Sequence, residues 1–205
     1  VAEACEYDRS FHNFEPGVAC ILNIERDHLD CYPDEDAILE SFYRFVRRTR
    51  PGGLIVANGD DPNVRKVLGL LMKDDGSLMI EEKSASSASH HPSVVTFGLD
   101  PACHFSAQNV REVDGFYHFD VFQDGRPLGS TRISLPGLHN VRNALAVIAV
   151  AVSIGVEPER LLAVLDGFQG MDRRLMLKGT FPAPGWGKNN VAQPPSAGER
   201  TMWPS

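Results

Sequence analysis

Val18-Ala19-Cys20-Ile21-Leu22-Asn23-Ile24, set directly behind the turn Glu15-Pro16-Gly17, is the stretch from which the fold is read. It is a short apolar run with the length and flanks of a buried strand, and acidic and His residues follow it at once. From Pro33 to about Arg48 the apolar residues Ile38, Phe42, Phe45 and Val46 recur at helical spacing, and Arg50-Pro51-Gly52-Gly53 supplies a stop. Leu54 to Ala57 reads as a second buried strand. Asp60-Asp61-Pro62 then gives a capping acid and a proline suited to a first helical turn, ahead of Val64, Val67, Leu68 and Leu71. Strand, helix, strand, helix predicts an α/β fold with a mostly parallel sheet flanked by helices.

Outward from this block the pattern changes. Val1-Ala2-Glu3-Ala4-Cys5-Glu6 reads like the end of a buried strand that meets acidic residues, as if the domain began earlier. Ser84 to Ser93 is rich in Ser and poor in bulky apolar residues, and is expected to be a mobile surface insertion. Val94 to Phe97, His104 to Val110, Phe116 to Phe122 and Leu128 to Leu135 read as short strands, with hairpin signals at Asp114-Gly115 and Asp124-Gly125. They predict a small antiparallel β appendage. Gly137-Leu138-His139-Asn140 opens a helix in which Ala144, Val147, Ile148 and Ala151 face one way and which Gly155 closes; a second helix is expected from Pro158 to about Leu165. Beyond Phe181, prolines at 182, 184, 194, 195 and 204 break any period, and the tail is expected to be disordered.

Composition narrows the function. Twenty Lys and Arg against 27 Asp and Glu give a net charge of -7 over 205 residues, which argues against nucleic acid or an anionic membrane surface as partner. No apolar run reaches the length of a membrane span and the N-terminus carries no signal-peptide pattern, so a cytoplasmic location is expected. Cys5, Cys20, Cys31 and Cys103 show no CxxC spacing and read as thiols, not as a disulfide framework or a zinc site.

Three constellations can carry chemistry. Glu3 sits at an expected strand end, and Asn23, Glu25, Asp27 and His28 lie just past the next one. Carboxyl ends of neighbouring parallel strands share one crevice, so the two groups can converge on a divalent cation; acidic loops are also ordinarily just solvated. His139, Asn140 and Asn143 at a helix start offer amide donors and acceptors that suit an adenine edge, although Asn at a helix start is ordinarily a cap. Arg173-Arg174, after Phe168-Gln169-Gly170, offers planar donor forks for phosphate, and surface Arg pairs are common. GxxxxGK[ST], the backbone cradle for nucleotide phosphates, does not occur in these 205 residues.

Taken in order, Val1-Ala2-Glu3-Ala4-Cys5-Glu6-Tyr7-Asp8-Arg9-Ser10-Phe11, Asn23-Ile24-Glu25-Arg26-Asp27-His28-Leu29-Asp30, Gly137-Leu138-His139-Asn140-Val141-Arg142-Asn143-Ala144 and Phe168-Gln169-Gly170-Met171-Asp172-Arg173-Arg174 resemble the Mur ligase family over roughly residues 1 to 181. Four motifs in sequence are far more specific than any one. The resemblance implies most of a central ATPase domain at 1–168, the start of a C-terminal ligase domain at 169–182 and a tail outside the family at 183–205. It implies ATP and Mg²⁺ as cofactors, and UDP-N-acetylmuramate and L-alanine as substrates of the full enzyme, joined through an acyl phosphate.

By motif position the resemblance makes Glu3 and His28 the Mg²⁺ ligands, His28 and Arg174 the catalytic pair, and Asn23 a supporting residue. It makes His139, Asn140 and Asn143 the adenine readers, with Arg174 on the ATP phosphates. No lysine occurs between His28 and Lys66, where some related ligases carry a carbamylated one, which fits the alanine-adding branch. The short span from Arg9 to Gly17 favours it over ligases that recycle murein tripeptide. Cys5 replaces the Asp usual in the family's EADE, and the phosphate cradle and the C-terminal Asp and His motif are missing from the chain. The expectation is a fragment or broken gene product, inactive alone, with a non-catalytic or partner-binding remnant as the alternative.

Overall fold

The computed structural model describes residues 1–25, 31–74 and 91–168, all within the unit Val1–Phe168. The expectations for Asp27, His28, most of the 84–93 insertion, Arg173-Arg174 and the 183–205 tail fall outside the described residues.

β2 (Leu54–Asn58) is covered on both faces, as a central parallel strand must be. Ile55 and Ala57 enter one apolar cluster and Val56, between them, enters the other. That alternation splits the domain into two cores. On one side Ile55 and Ala57 meet β1 (Val18–Ile21), α1 (Glu35–Arg47) and α2 (Pro62–Asp74) through Ile21, Ile38, Phe45, Val64 and Val67. On the other, Val56 and β3 (Ser93–Gly98) meet α3 (Leu138–Ser153) and α4 (Pro158–Asp166) through Phe97, Val141, Leu145, Ile148 and Leu162.

Local chemistry starts and stops these elements where the sequence predicts. Asp34 caps α1 by accepting the Ala37 N–H at 2.8 Å, with Glu35 and Asp36 in the first turn and Arg44 and Arg47 in the last, as the helix dipole favours. Asp61 accepts the N–H groups of Asn63 and Val64 at 2.9 and 2.8 Å, so it is the second acid of Asp60-Asp61-Pro62 that caps α2. Gly155, at φ 95°, turns the chain out of α3.

All six strands form one sheet in the order β1-β2-β3-β4-β5-β6, with β4 (Phe105–Val113), β5 (Phe116–Gln123) and β6 (Arg126–Ile133) completing it. β1, β2 and β3 pair in parallel, and β4, β5 and β6 are antiparallel. The two hairpin turns follow their sequence signals, with Asp114 and Gly115 at φ 51° and 80° and Asp124 and Gly125 at φ 50° and 73°.

The expected antiparallel β appendage is present as a continuation of the same sheet. Two expectations are corrected. The first correction is that β3 belongs with the parallel strands. β4 pairs in parallel with β3 only at Phe97↔Phe105 and Gly98↔Ser106, starting where β3 ends. A short loop therefore suffices where a full parallel overlap needs a long crossover. The second is that Val1 to Glu6 forms no strand; the Cys5 and Glu6 carbonyls accept hydrogen bonds from Phe11, Ser10 and Tyr32.

Candidate functional site

Because β1, β2 and β3 run the same way, the loops that follow them lie along one edge of the sheet. Side chains tie those loops together. Asn58, at the end of β2 and buried, donates to the Leu22 carbonyl at 2.8 Å, and Asn63 in the first turn of α2 donates to the Ile24 carbonyl at 3.1 Å. Asn23, between these two anchored carbonyls, and Glu25, just beyond them, are exposed and bonded to each other, Nδ2 to Oε1, at 2.7 Å.

Asp60 is the centre of this edge. Its carboxylate accepts the Leu99 N–H at 2.8 Å and the Asp100 N–H at 3.1 Å from the loop after β3, and the Arg142 Nε–H at 2.9 Å from the first turns of α3. Burial alone would raise its pKa, but the donors from Leu99, Arg142 and Asp100 together hold the carboxyl below the usual range. One residue thus joins β2, β3 and α3. Sequence reasoning missed it, although the doubled acid was a signal: only one of two adjacent acids can cap a helix, and the other must go elsewhere.

The first two turns of α3 carry the residues expected to face adenine. Gly137 precedes it at φ 94°, and the His139 imidazole lies so close that a Cβ on Gly137 would approach His139 Cε1 to 2.6 Å. Asn140 does not cap the helix. Its Nδ2 donates to the Pro136 carbonyl at 2.7 Å, so its oxygen is turned to no backbone N–H, and no side chain caps this end. Asn143 is exposed, and its Nδ2 reaches Asn140 Oδ1 only at 3.5 Å, the outer limit of a hydrogen bond. Two side-chain amides one turn apart, with exposed His139 beside them, therefore keep donor and acceptor capacity at the carboxyl end of the sheet.

Glu3 is exposed on the segment before the short helical stretch Tyr7–Asn13. That segment is fastened to the rest from several directions. The Cys5 carbonyl accepts the Phe11 N–H at 3.1 Å and the Ser10 hydroxyl at 3.0 Å, and the Glu6 carbonyl accepts the Tyr32 hydroxyl at 2.6 Å. Phe11 is buried against Phe42 and Phe45 of α1, and His12 Nε2 lies 2.9 Å from the Ser41 carbonyl and 3.0 Å from its hydroxyl. Of the expected metal ligands Glu3 is among the described residues and His28 is not; among the described residues no three of His, Cys, Asp or Glu are placed to hold a metal ion.

Comparison with known proteins places this architecture. Residues 1–151 match the model of the Mur ligase middle domain. UDP-N-acetylmuramate--L-alanine ligase of Agathobacter rectalis is 35% identical over 181 residues, 87% of this chain and 35% of that protein. The crystal structure of UDP-N-acetylmuramate:L-alanyl-gamma-D-glutamyl-meso-diaminopimelate ligase from Neisseria meningitides aligns with a TM-score of 0.61 at 30% identity, over 79% of this chain and 43% of that one. A Thermotoga maritima ligase solved in complex with ADP, 14% identical, shares the fold at a TM-score of 0.60 over 80% of this chain and 33% of that one. The chain thus spans about a third of the length of the curated relative it matches. With the middle-domain match covering most of its residues and the parallel half of its sheet built as described, the chain belongs to the Mur ligase family.

Proposed function

We propose that this chain serves in an ATP-dependent ligase of peptidoglycan synthesis that joins L-alanine to UDP-N-acetylmuramate through an acyl phosphate. The observation that carries the reading is the amide-bearing start of α3, tied by Arg142 and Asp60 to the loops after β2 and β3 in a chain whose relatives at this identity include an alanine-adding ligase. In this reading residues 1–168 supply part of the central domain, 169–182 open the third, and 183–205 lie outside the family pattern.

The described residues fit adenine. Asn140 and Asn143 carry side-chain amides with unused hydrogen-bonding capacity, which suits the paired donor and acceptor of an adenine edge, and His139 is exposed beside them. Glu3 fits a hard cation as an exposed carboxylate, with His28 as its fellow ligand. When bound, Mg²⁺ with ATP supplies charge neutralisation between two anions. The chain's own residues orient the rest: Asn140 and Asn143 hold the base, Asn23 steadies Glu25 beside the cation residues, and Arg174 pairs with phosphate.

No phosphate cradle of the GxxxxGK[ST] type occurs in these 205 residues, so the chain alone is expected to release no phosphate from ATP with UDP-N-acetylmuramate and L-alanine present. Turnover above a no-protein blank, abolished by Glu3→Ala, would overturn that part of the reading. The ligase role is tested by placing residues 1–181 in the matching region of the Agathobacter rectalis enzyme. Activity with L-alanine, lost on Glu3→Ala or His28→Ala, is the expected result. Unchanged Mg²⁺ dependence in both variants removes the metal assignment. Acceptance of L-alanyl-γ-D-glutamyl-meso-diaminopimelate instead of L-alanine favours the tripeptide-ligase reading, which the Neisseria structure keeps open. Among the described residues no helix is long and apolar enough to cross a membrane, and the proposed site of action is the cytoplasm, where ATP is available.

A further inference from the structure

The first turn of α3 has little local anchoring. Its N-cap is Gly137, no side chain caps it, and Asn140 reaches back only to Pro136. A helix start of this kind frays unless tertiary contacts hold it. Arg142 supplies such a contact, its Nε donating to Asp60 Oδ2 at 2.9 Å across 82 positions of sequence.

The pair is sheltered, with the Asp60 side chain 14% exposed and that of Arg142 33%. Asp60 is itself immobilised. Its N–H donates to Asn58 Oδ1 at 3.0 Å, Leu99 and Asp100 hold its carboxylate, and Gly98 leaves the room for it, since a Cβ there would collide with Asp60 Oδ1. Asp60 therefore offers Arg142 a fixed acceptor referenced to β2 and β3. Arg142 stands between Asn140 and Asn143 on a helix that turns about 100° per residue, so fixing one azimuth fixes the others.

We propose that Asp60 and Arg142 are positioning residues for purine-base recognition: their ion pair sets the rotation of α3's first two turns, and with it the direction in which the Asn140 and Asn143 amides face. Neither residue touches the base. The inference rests on the adenine reading of those two asparagines given above.

The test follows the side-chain amide NMR signals of Asn140 and Asn143 in the full 205-residue chain, with adenosine as the probe because it carries the base and no phosphate. In the parent both signals shift saturably. Arg142→Leu and Asp60→Asn are expected to raise the apparent Kd for adenosine at least fivefold, with Arg142→Lys falling between them and the parent. A Kd for Arg142→Leu within twofold of the parent overturns the proposal, as does failure of Arg142→Lys to recover any affinity. If the parent itself shows no saturable shift, the adenine reading fails, and the proposal, which rests on it, falls with it. The positioning part is still judged separately without nucleotide. There Arg142→Leu is expected to displace both asparagine signals and speed backbone amide exchange over residues 140–143 at least tenfold, while Phe97 and Val121 amides keep their protection. Unchanged signals and exchange overturn the positioning role whatever adenosine does.

Discussion

The parallel and antiparallel halves of the sheet are held by different means. In β1, β2 and β3 the strands are short, the central β2 is covered on both faces, and the loops beyond them are joined by side chains reaching far along the sequence: Asn58 to Leu22, Asn63 to Ile24, Asp60 to Leu99, Asp100 and Arg142. In β4, β5 and β6 the partners are sequence neighbours, closed by Asp-Gly turns, and burial fades from Phe105, Ser106 and Ala107 towards the exposed residues 111–115. The lesson is one of division of labour. The parallel half presents loops that local structure cannot position, so it positions them with long-range polar ties. The hairpins rest on turn chemistry and on pairing between neighbours in the chain, and β6 adds distant ties, from Thr131 to the Leu162 carbonyl and from Arg132 to Asp166 of α4.

The sharpest way to break this contrast is in the shared core. Phe97→Ala removes a fully buried ring beside Phe105 and the α3 face and is expected to cost about 3–5 kcal/mol. Phe116→Ala, at the partly exposed far end of β5, is expected to cost under about 1.5 kcal/mol. Paired urea melts check this, and equal losses would show that the two halves are held alike.

Asp60→Ala comes next. It leaves Arg142 and two backbone N–H groups without their acceptor, and a loss of about 1–3 kcal/mol is expected because these donors are only partly reached by water. A loss under roughly 0.5 kcal/mol, the scale of an ordinary surface change, would mean that the polar ties do not hold the parallel half.

The same residue gives a pH dependence of definite sign. The folded carboxyl titrates below its ordinary value of 3.8, so its contribution is complete above the usual carboxylate range and is lost as pH falls through the folded value. Stability measured between pH 6 and pH 3 is therefore expected to fall less steeply in Asp60→Asn than in the parent. An identical slope would take Asp60 out of the acid sensitivity of the domain.

Smallest is the local device of the other half. Gly115→Ala places a Cβ on a residue at φ 80° with nothing nearby to clash, so only the backbone conformation is penalised, by roughly 1 kcal/mol. Arg132→Ala, which removes an exposed pair with Asp166 and a cation over the Phe116 ring at 4.7 Å, is expected to cost about 0.5–1 kcal/mol. Thermal melts resolve both, and a Gly115 effect larger than that of Asp60→Ala would invert the comparison.

By itself the sequence determined what depends on neighbours in the chain. The period of Ile38, Phe42, Phe45 and Val46 made α1, the acid and proline at Asp61-Pro62 started α2, and the two Asp-Gly pairs placed both hairpin turns, because a cap, a turn or an amphipathic face is written within a few residues. The four motifs likewise marked His139, Asn140 and Asn143 as residues to watch. Only the tertiary structure decided that β3 joins the parallel strands while β4 continues the same sheet, since a two-residue overlap at Phe97 and Gly98 leaves no trace in hydrophobic period. It alone showed that Asn140, a residue type that ordinarily caps a helix start, donates to Pro136 instead, and it made Asp60, a second acid beside a cap, the joint of β2, β3 and α3. A carboxylate is satisfied by whatever donors the fold brings within hydrogen-bond distance of it, and for Asp60 three of these, Leu99, Asp100 and Arg142, lie 39, 40 and 82 positions away.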